Sequence, residues 1–400
     1  MGFCQVDLPA PSYLAAFTDG FRVFLQNLVT NVVYTDIAKA FDSVSHQKLL
    51  RVIKSYGLSE TVCNCVRDFL TGRTQQVAIT DKVSSSLSVL SGVPQGSVLG
   101  PLLFLIFIND ISLCDSYLQP EGGVALFADD AKLFSHNNIK LQNSLNSTSH
   151  WLDNMQLNLA PHKCSNLPIK KPSLTVNETQ LSINSIPIPN SQCVKDLGIL
   201  ISKDLKWSNH INSISRSASS QSYLIFKSFS TRCIWVLLKL YKTYVRPKLE
   251  YNSPVWSPYL SKDIDQIENV QKSFTRYAFR RCGIPYNSYK DRLYKINLDS
   301  LRRRRVVFDL ILLYKIFYGT SDLKFSNYFK LKSNHYQLRH NSFQIESVVN
   351  FSLSQNQISN GFFTRVCNYW NSLPQSIIES ETVSIFKTKL KTHDLSQFTD

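Results

Sequence analysis

Nothing in this chain of 400 residues spells out a secreted, metal-stapled or membrane-spanning protein. Nine cysteines stand at Cys4, Cys63, Cys65, Cys114, Cys164, Cys193, Cys233, Cys282 and Cys367. They form no CxxC pair and no tight Cys/His cluster, so neither a zinc site nor a disulfide framework is indicated and a reducing, intracellular compartment is expected. None of the eight histidines pairs at metal-ligand spacing. Met1 to Ala16 has neither the basic start nor the long apolar stretch of a signal peptide. Apolar runs such as Val98 to Ile108 are too short to cross a bilayer and read as buried core, so no membrane partner is expected. There is no internal repeat and no low-complexity tract.

With 43% apolar residues the chain can bury a substantial core, and its length suits two or three domains. The net charge of +15 is unevenly spread. Residues 1–200 hold 14 Lys and Arg against 15 Asp and Glu, whereas residues 201–400 hold 30 against 14. A neutral half joined to a basic half suggests a polyanionic partner, set against the simpler reading of a solvated basic surface.

Local patterning gives an α+β alternation followed by helices. Asn31 to Thr35 is β-branched and aromatic enough for a strand, and it ends on Asp36. A helix is expected over His46 to Tyr56, capped by Ser45 and closed by Gly57. Gln75 to Ile79 and Leu87 to Leu90 read as short strands either side of a serine-rich turn. Ser91 to Ile111 is a Gly/Pro loop opening an apolar helix. Val124 to Phe134 reads as a hairpin with Asp129 and Asp130 at its bend, and a helix is expected over Ile139 to Asn154. Pro168 to Pro189 reads as a loop with short strands. Past Leu205 the periodicity turns helical, over 211–229, 233–244, 264–281 and 301–317, which places a boundary near 205.

Three acids stand out because transfer of a nucleotidyl group uses two divalent ions about 3.5–4 Å apart, and ions that close need shared carboxylates. A strand-end acid, Asp36, beside a hairpin pair, Asp129–Asp130, would supply them. Taken alone, Asp-Asp in a turn more often reflects turn chemistry. Other residues invite plainer readings. Asp42 fits a helix-start or turn acid as well as a functional one, Asn109–Asp110 a cap at a helix end, and His46 the first turn of its helix. Arg302 to Arg305 reads as a solvated helix face, a nucleic-acid contact or an import patch. Aromatics interleave with Lys and Arg at Phe274 to Tyr277 and Tyr286 to Tyr294, a mixture that suits stacking on bases or, at helical spacing, core with snorkelling cations.

YTDIAKAFDSVSHQKLL, SGVPQGSVLGPLLFLIFINDI and FADD follow one another in the order of three palm motifs, and here the chain resembles the reverse transcriptases of non-LTR retrotransposons, jockey-like elements in particular. The second segment is the most specific. LNLAPHKC, residues 157–164, resembles the fourth motif, Leu197-Gly198-Ile199 the fifth, and YWNSLPQSIIES with FKTKL the C-terminal end of such proteins. The resemblance implies a polymerase palm, an antiparallel sheet with packed helices, over 1–204. A helical thumb-like region over 205–300 and a basic C-terminal region over 301–400 would follow it. It implies an RNA-directed DNA polymerase that uses an RNA template, a DNA primer and deoxynucleoside triphosphates, with two Mg²⁺ ions or Mn²⁺ in their place. Asp36, Asp129 and Asp130 would be the metal ligands. Phe41 would exclude a ribose 2′-hydroxyl, Gln95 and Gly96 would pack on the nascent base pair, and Lys163 would protonate the leaving pyrophosphate.

The family's fingers precede the first motif, yet only 35 residues precede Asp36, with Arg22 as their sole cation. The expectation is an N-terminally truncated relative whose carboxylate site is intact and whose grip on the triphosphate is weakened. A catalytically inactive nucleic-acid-binding remnant is the alternative, and a two-metal nuclease is disfavoured by the lack of a further Glu/His cluster.

Overall fold

The computed structural model describes residues 29–112, 118–119, 122–170, 180–332, 343–348 and 360–399. Arg22, Cys4 and Cys114 lie outside them, as does part of the expected loop between Pro168 and Pro189. Residue contacts separate two units: one running to Val194 with Ser202–Asp204, the other made of Lys195–Ile201 and the chain from Leu205 onward. No helix among the described residues is long and apolar enough to cross a membrane.

The first unit is built on four antiparallel strands. They are β1 (Thr30–Thr35), β2 (Gly122–Phe127), β3 (Asp130–Ser135) and β4 (Ser165–Ile169), ordered β2-β3-β1-β4. A central strand loses water on both faces, and the unbroken TNVVYT run of β1, buried at five of its six residues, meets that demand. The buried Asn31 side chain is paired at both ends, donating to Asn138 at 2.7 Å and accepting from Asn166 at 2.8 Å.

Val33 and Leu133 are directly opposed across β1 and β3, and they bury against Leu141 and Leu145 of α4 (Asn138–Asn154). That helix starts where Asn137 accepts from the backbone N–H groups of Ile139 and Lys140. A second core joins α1 (His46–Ser55), α2 (Glu60–Leu70) and α3 (Leu99–Ile108) through Leu49, Ile53, Val66, Phe104 and Phe107. The expected helix at 46–56 is thus present, with Gly57 at φ 81, but the Ser45 side chain makes no capping hydrogen bond. Residues 74–88 form two nested two-residue ladders, and the tight turn falls after Ile79 rather than at the serines.

The second unit is mostly helical, with α5 (Ser208–Ser228), α6 (Ser261–Cys282), α7 (Leu301–Phe317), α8 (Phe362–Asn371) and α9 (Val383–Thr392) beside a short antiparallel pair, Phe329–Leu331 with Ile345–Ser347. Ile234–Leu240 runs on through a π-helical turn, Tyr241–Val245, where a single helix was expected. Gly283, at φ 66, ends α6, and Ile284 N–H reaches the Phe279 carbonyl, the closure that a left-handed residue after a helix allows. Trp256, Trp370, Phe274 and Phe386 are fully buried.

Candidate active site

β1 delivers Asp36 to one end of the sheet. Thr35 pairs with Ala131, so one step further Asp36 stands across from Asp130. On its other side Tyr34 pairs with Ser165, and past that pair the register shifts, so that Ile37 bridges Leu159. The chain before β4 is stitched to the chain after β1: Ala38 N–H donates to the Asn158 carbonyl and Ala160 N–H to that of Asp36, at 2.8 and 2.9 Å. Lys163 then comes round a turn closed on Ala160, and its Nζ stands 3.2 Å from Asp36 Oδ2. That oxygen is buried and accepts no hydrogen bond, so the lysine contact is an ion pair by distance without hydrogen-bond alignment.

Phe127 pairs with Asp130, leaving Ala128 and Asp129 as the two-residue bend of the β2/β3 hairpin. Ala128 sits at φ 53, a left-handed conformation uncommon away from glycine and enriched at functional sites. Asp129 is half-buried and Asp130 exposed. The backbone therefore gathers Asp36, Asp129, Asp130 and Lys163 at one sheet end. The side chains do not converge equally: among the described residues no three His, Cys, Asp or Glu groups stand together as a metal-binding cluster. Asp36 is turned towards Lys163 instead. The donor set nevertheless fits a hard divalent cation, being all carboxylate with one buried oxygen that lacks a hydrogen bond. Beside it, burial pushes the Cys164 thiol upward, its hydrogen bond with the Asp36 backbone opposes this, and the Asp36 charge adds to it.

Behind the acids, two loops are bolted together. Gly92 N–H donates to Val44 O, Val93 N–H to Phe41 O, and Ser91 Oγ to Asp42 O, all within 2.8–2.9 Å. Gln95 Nε2 donates to Asp42 Oδ1 at 2.9 Å, and His46 Nε2 lies 2.8 Å from Gly92 O, which requires the proton on Nε2. Asp42 and His46 thus hold the Gln95 loop, a role sequence reading assigned to neither. Phe41 is half-buried, with its ring stacked on Phe104 at 4.3 Å. A Cβ on Gly92 would meet Asp42 backbone at 2.8 Å with φ at +88, whereas one on Gly96 would meet nothing within 4 Å. Only the left-handed φ of Gly96, +77, calls for glycine there.

Elsewhere, Asn109 and Asp110 both bond the Tyr56 hydroxyl, tying the end of α3 to that of α1. Leu197 and Gly198 form a positive-φ turn whose Leu197 carbonyl accepts from the Tyr251 hydroxyl. Arg302 to Arg305 is neither a solvated face nor an open contact surface. Arg303 donates to the carbonyls of Leu390, Lys391 and His393, Arg304 pairs with Glu250, and Arg305 is 3% exposed.

Residues 13–201 match the family described as reverse transcriptase (RNA-dependent DNA polymerase). This chain carries a reverse transcriptase domain. The domain is akin to those of non-LTR retrotransposons. The chain is 27% identical over 255 residues to the probable RNA-directed DNA polymerase from transposon X-element of Drosophila melanogaster, covering 62% of itself and 28% of that protein. It is 26% identical over 273 residues to the RNA-directed DNA polymerase from mobile element jockey of the same fly, covering 63% and 28%. The chain thus spans a little over a quarter of the length of these relatives. Among solved structures, telomerase from Candida tropicalis, in complex with a fragment of telomeric RNA, aligns with a TM-score of 0.41 at 13% identity, over 76% of this chain and 45% of that one. A likeness of that size carries no argument.

Proposed function

We propose that this reverse transcriptase chain acts as an RNA-directed DNA polymerase of a retroelement, with nucleotidyl transfer at Asp36, Asp129 and Asp130. The observation that supports this best is the strand register, which brings a strand-end acid and a hairpin pair of acids to one end of the sheet within the family-matched residues, with the Lys163 ammonium 3.2 Å from Asp36. Two divalent ions, Mg²⁺ or Mn²⁺, would neutralise the charge that develops on the transferring phosphate and lower the pKa of the attacking 3′-hydroxyl. Asp36 and Asp129 are the principal ligands in this reading, and Asp130 supports them or the primer end. Lys163, already at the acids, supplies a cation and a proton where pyrophosphate departs. Phe41, backed by Phe104, presents a ring edge against a ribose 2′-hydroxyl. The Gln95–Gly96 loop, fixed through Asp42 and His46, lies against the nascent pair.

The substrates in this reading are an RNA template, a DNA primer and deoxynucleoside triphosphates, met inside the cell. Residues 1–204 would serve as palm, 205–300 as a thumb-like part and 301–400 as a basic C-terminal part. Primer extension on an RNA template with Mg²⁺ or Mn²⁺ tests it. Incorporation is expected to fall at least about 100-fold in Asp129→Ala, since loss of even a supporting residue around a metal typically costs about 10–100-fold. Incorporation unchanged in Asp129→Ala would overturn the site. A chain that binds primer-template but extends nothing with either ion would be the binding remnant instead.

A further inference from the structure

A groove of about 1360 Å³ runs between α5 and α6 in the helical unit. It is larger than the roughly 300–1,000 Å³ typical of small-molecule sites and open along its length, so its shape suits an extended ligand. Its walls are stripes of helical spacing, Arg216, Ser219, Tyr223 and Lys227 on α5 facing Ser273, Tyr277 and Arg280 on α6. Among the described residues no Asp or Glu lines it. Arg281, at its end, is spent on the carbonyls of Phe226 and Phe229. Arg216, Lys227 and Arg280 are exposed and have no ion pair among the described residues. Tyr223 and Tyr277 keep 64% and 54% of their surface in water, Tyr277 with Phe226 5.9 Å away at its base. On the groove's lining, Ser215 is 5% exposed and its buried hydroxyl has no hydrogen-bond partner.

We infer that the α5/α6 groove binds a single strand of RNA. Unpaired cations along an acid-free channel fit a phosphate backbone, and exposed tyrosines in the same channel fit base faces. Base faces are open only in an unpaired strand, because within a duplex each is covered by its neighbours. The serine-rich walls add hydroxyls suited to the 2′-OH, the group that separates RNA from DNA. The polymer is taken from the proposed function, on which this assignment rests; the groove itself is independent of the carboxylates.

Fluorescence anisotropy with the full chain in EDTA and without nucleotides, using a labelled unstructured RNA of about 12 nucleotides, reads it directly. The strand is expected to bind more tightly than the same RNA as a duplex and than DNA of the same sequence. The Tyr223→Ala/Tyr277→Ala pair is expected to lose at least about tenfold in affinity, while Tyr223→Phe/Tyr277→Phe keeps it because the rings remain. Arg216→Gln with Arg280→Gln should flatten the salt dependence by about 0.7 per lost phosphate contact. If the alanine pair fails to fold, the arginine pair decides by that slope. Binding unchanged in either set, a preference for duplex, or DNA bound as well as RNA would overturn the assignment. Asp129→Ala is expected to bind like the unaltered chain, so groove binding without primer extension would sink the polymerase reading alone.

Discussion

Lys163 and Asp36 set a competition at the heart of the proposed site. Their side chains are 59% and 38% exposed, and a pair so hydrated is worth at most about 1 kcal/mol, too little to hold Asp36 against a divalent ion. Replacing the lysine separates two roles. If it mainly occupies the metal's ligand, Lys163→Gln should lower the Mn²⁺ concentration for half-maximal extension. If it mainly donates the proton, the rate should fall at unchanged metal requirement. A metal titration of primer extension distinguishes them, and no change in either quantity would remove Lys163 from the site. His210 gives a second prediction at this scale. It is 2% exposed, edge-on to Trp256, and its Nδ1 accepts from Leu200 N–H, so burial lowers its pKa to about 4. The unfolded chain protonates near 6.5, so the stability due to the neutral imidazole is present above that pH and is lost as pH falls towards 4. Between pH 7 and 4.5 His210→Gln should lose about 2–3 kcal/mol less than the unaltered protein in urea unfolding. An equal loss would show that His210 does not titrate this way.

At the scale of elements, α7 begins against its own electrostatics. A helix start is the positive end of its dipole, and here it carries four arginines and no acid in the first turn. Glu268, reaching from α6, resolves the conflict by accepting from the N–H groups of Leu301 and Arg302, while the Ser300 hydroxyl accepts from Arg303 N–H. Glu268→Ala should therefore destabilise the helical unit by about 3 kcal/mol in urea titration, since it uncovers buried donors and buried cations together. A loss below about 0.5 kcal/mol would contradict that account. The spans of α1, α4 and α7 were legible because their apolar periodicity and flanking residues are local signals. The fate of the arginine run was not, because Glu250, Glu268 and the end of α9 stand beside it only after packing.

Across the whole molecule, many cations are consumed internally. Arg365 is 9% exposed, pairs with Asp309 at 2.8 Å and donates to the Pro254 carbonyl at 2.7 Å, joining α7, α8 and the Ser253–Trp256 turn. Arg292 lies buried over Tyr286, and Arg303 and Arg304 tie helices together. The excess of 16 positive charges in residues 201–400 thus overstates what a polyanion meets. Cutting one partner of a buried pair strands the other, so Asp309→Ala should cost about 3–5 kcal/mol in chemical unfolding. A cost under about 1 kcal/mol would mean the pair is not buried as described.

By itself the sequence determined the chemistry on offer: Asp36 at a strand end, Asp129 and Asp130 in one hairpin, and the motif order that marks a reverse transcriptase. These are carried by contiguous residues whose character survives without partners. The tertiary structure decided which of them meet. It set Lys163 on Asp36, anchored Gln95 through Asp42, pressed Gly92 against the Asp42 backbone, and aligned Tyr223 and Tyr277 along one groove that no described acid lines. Such pairings depend on strand register and on which helix faces pack together, and a distance between remote segments leaves no periodic trace in the chain.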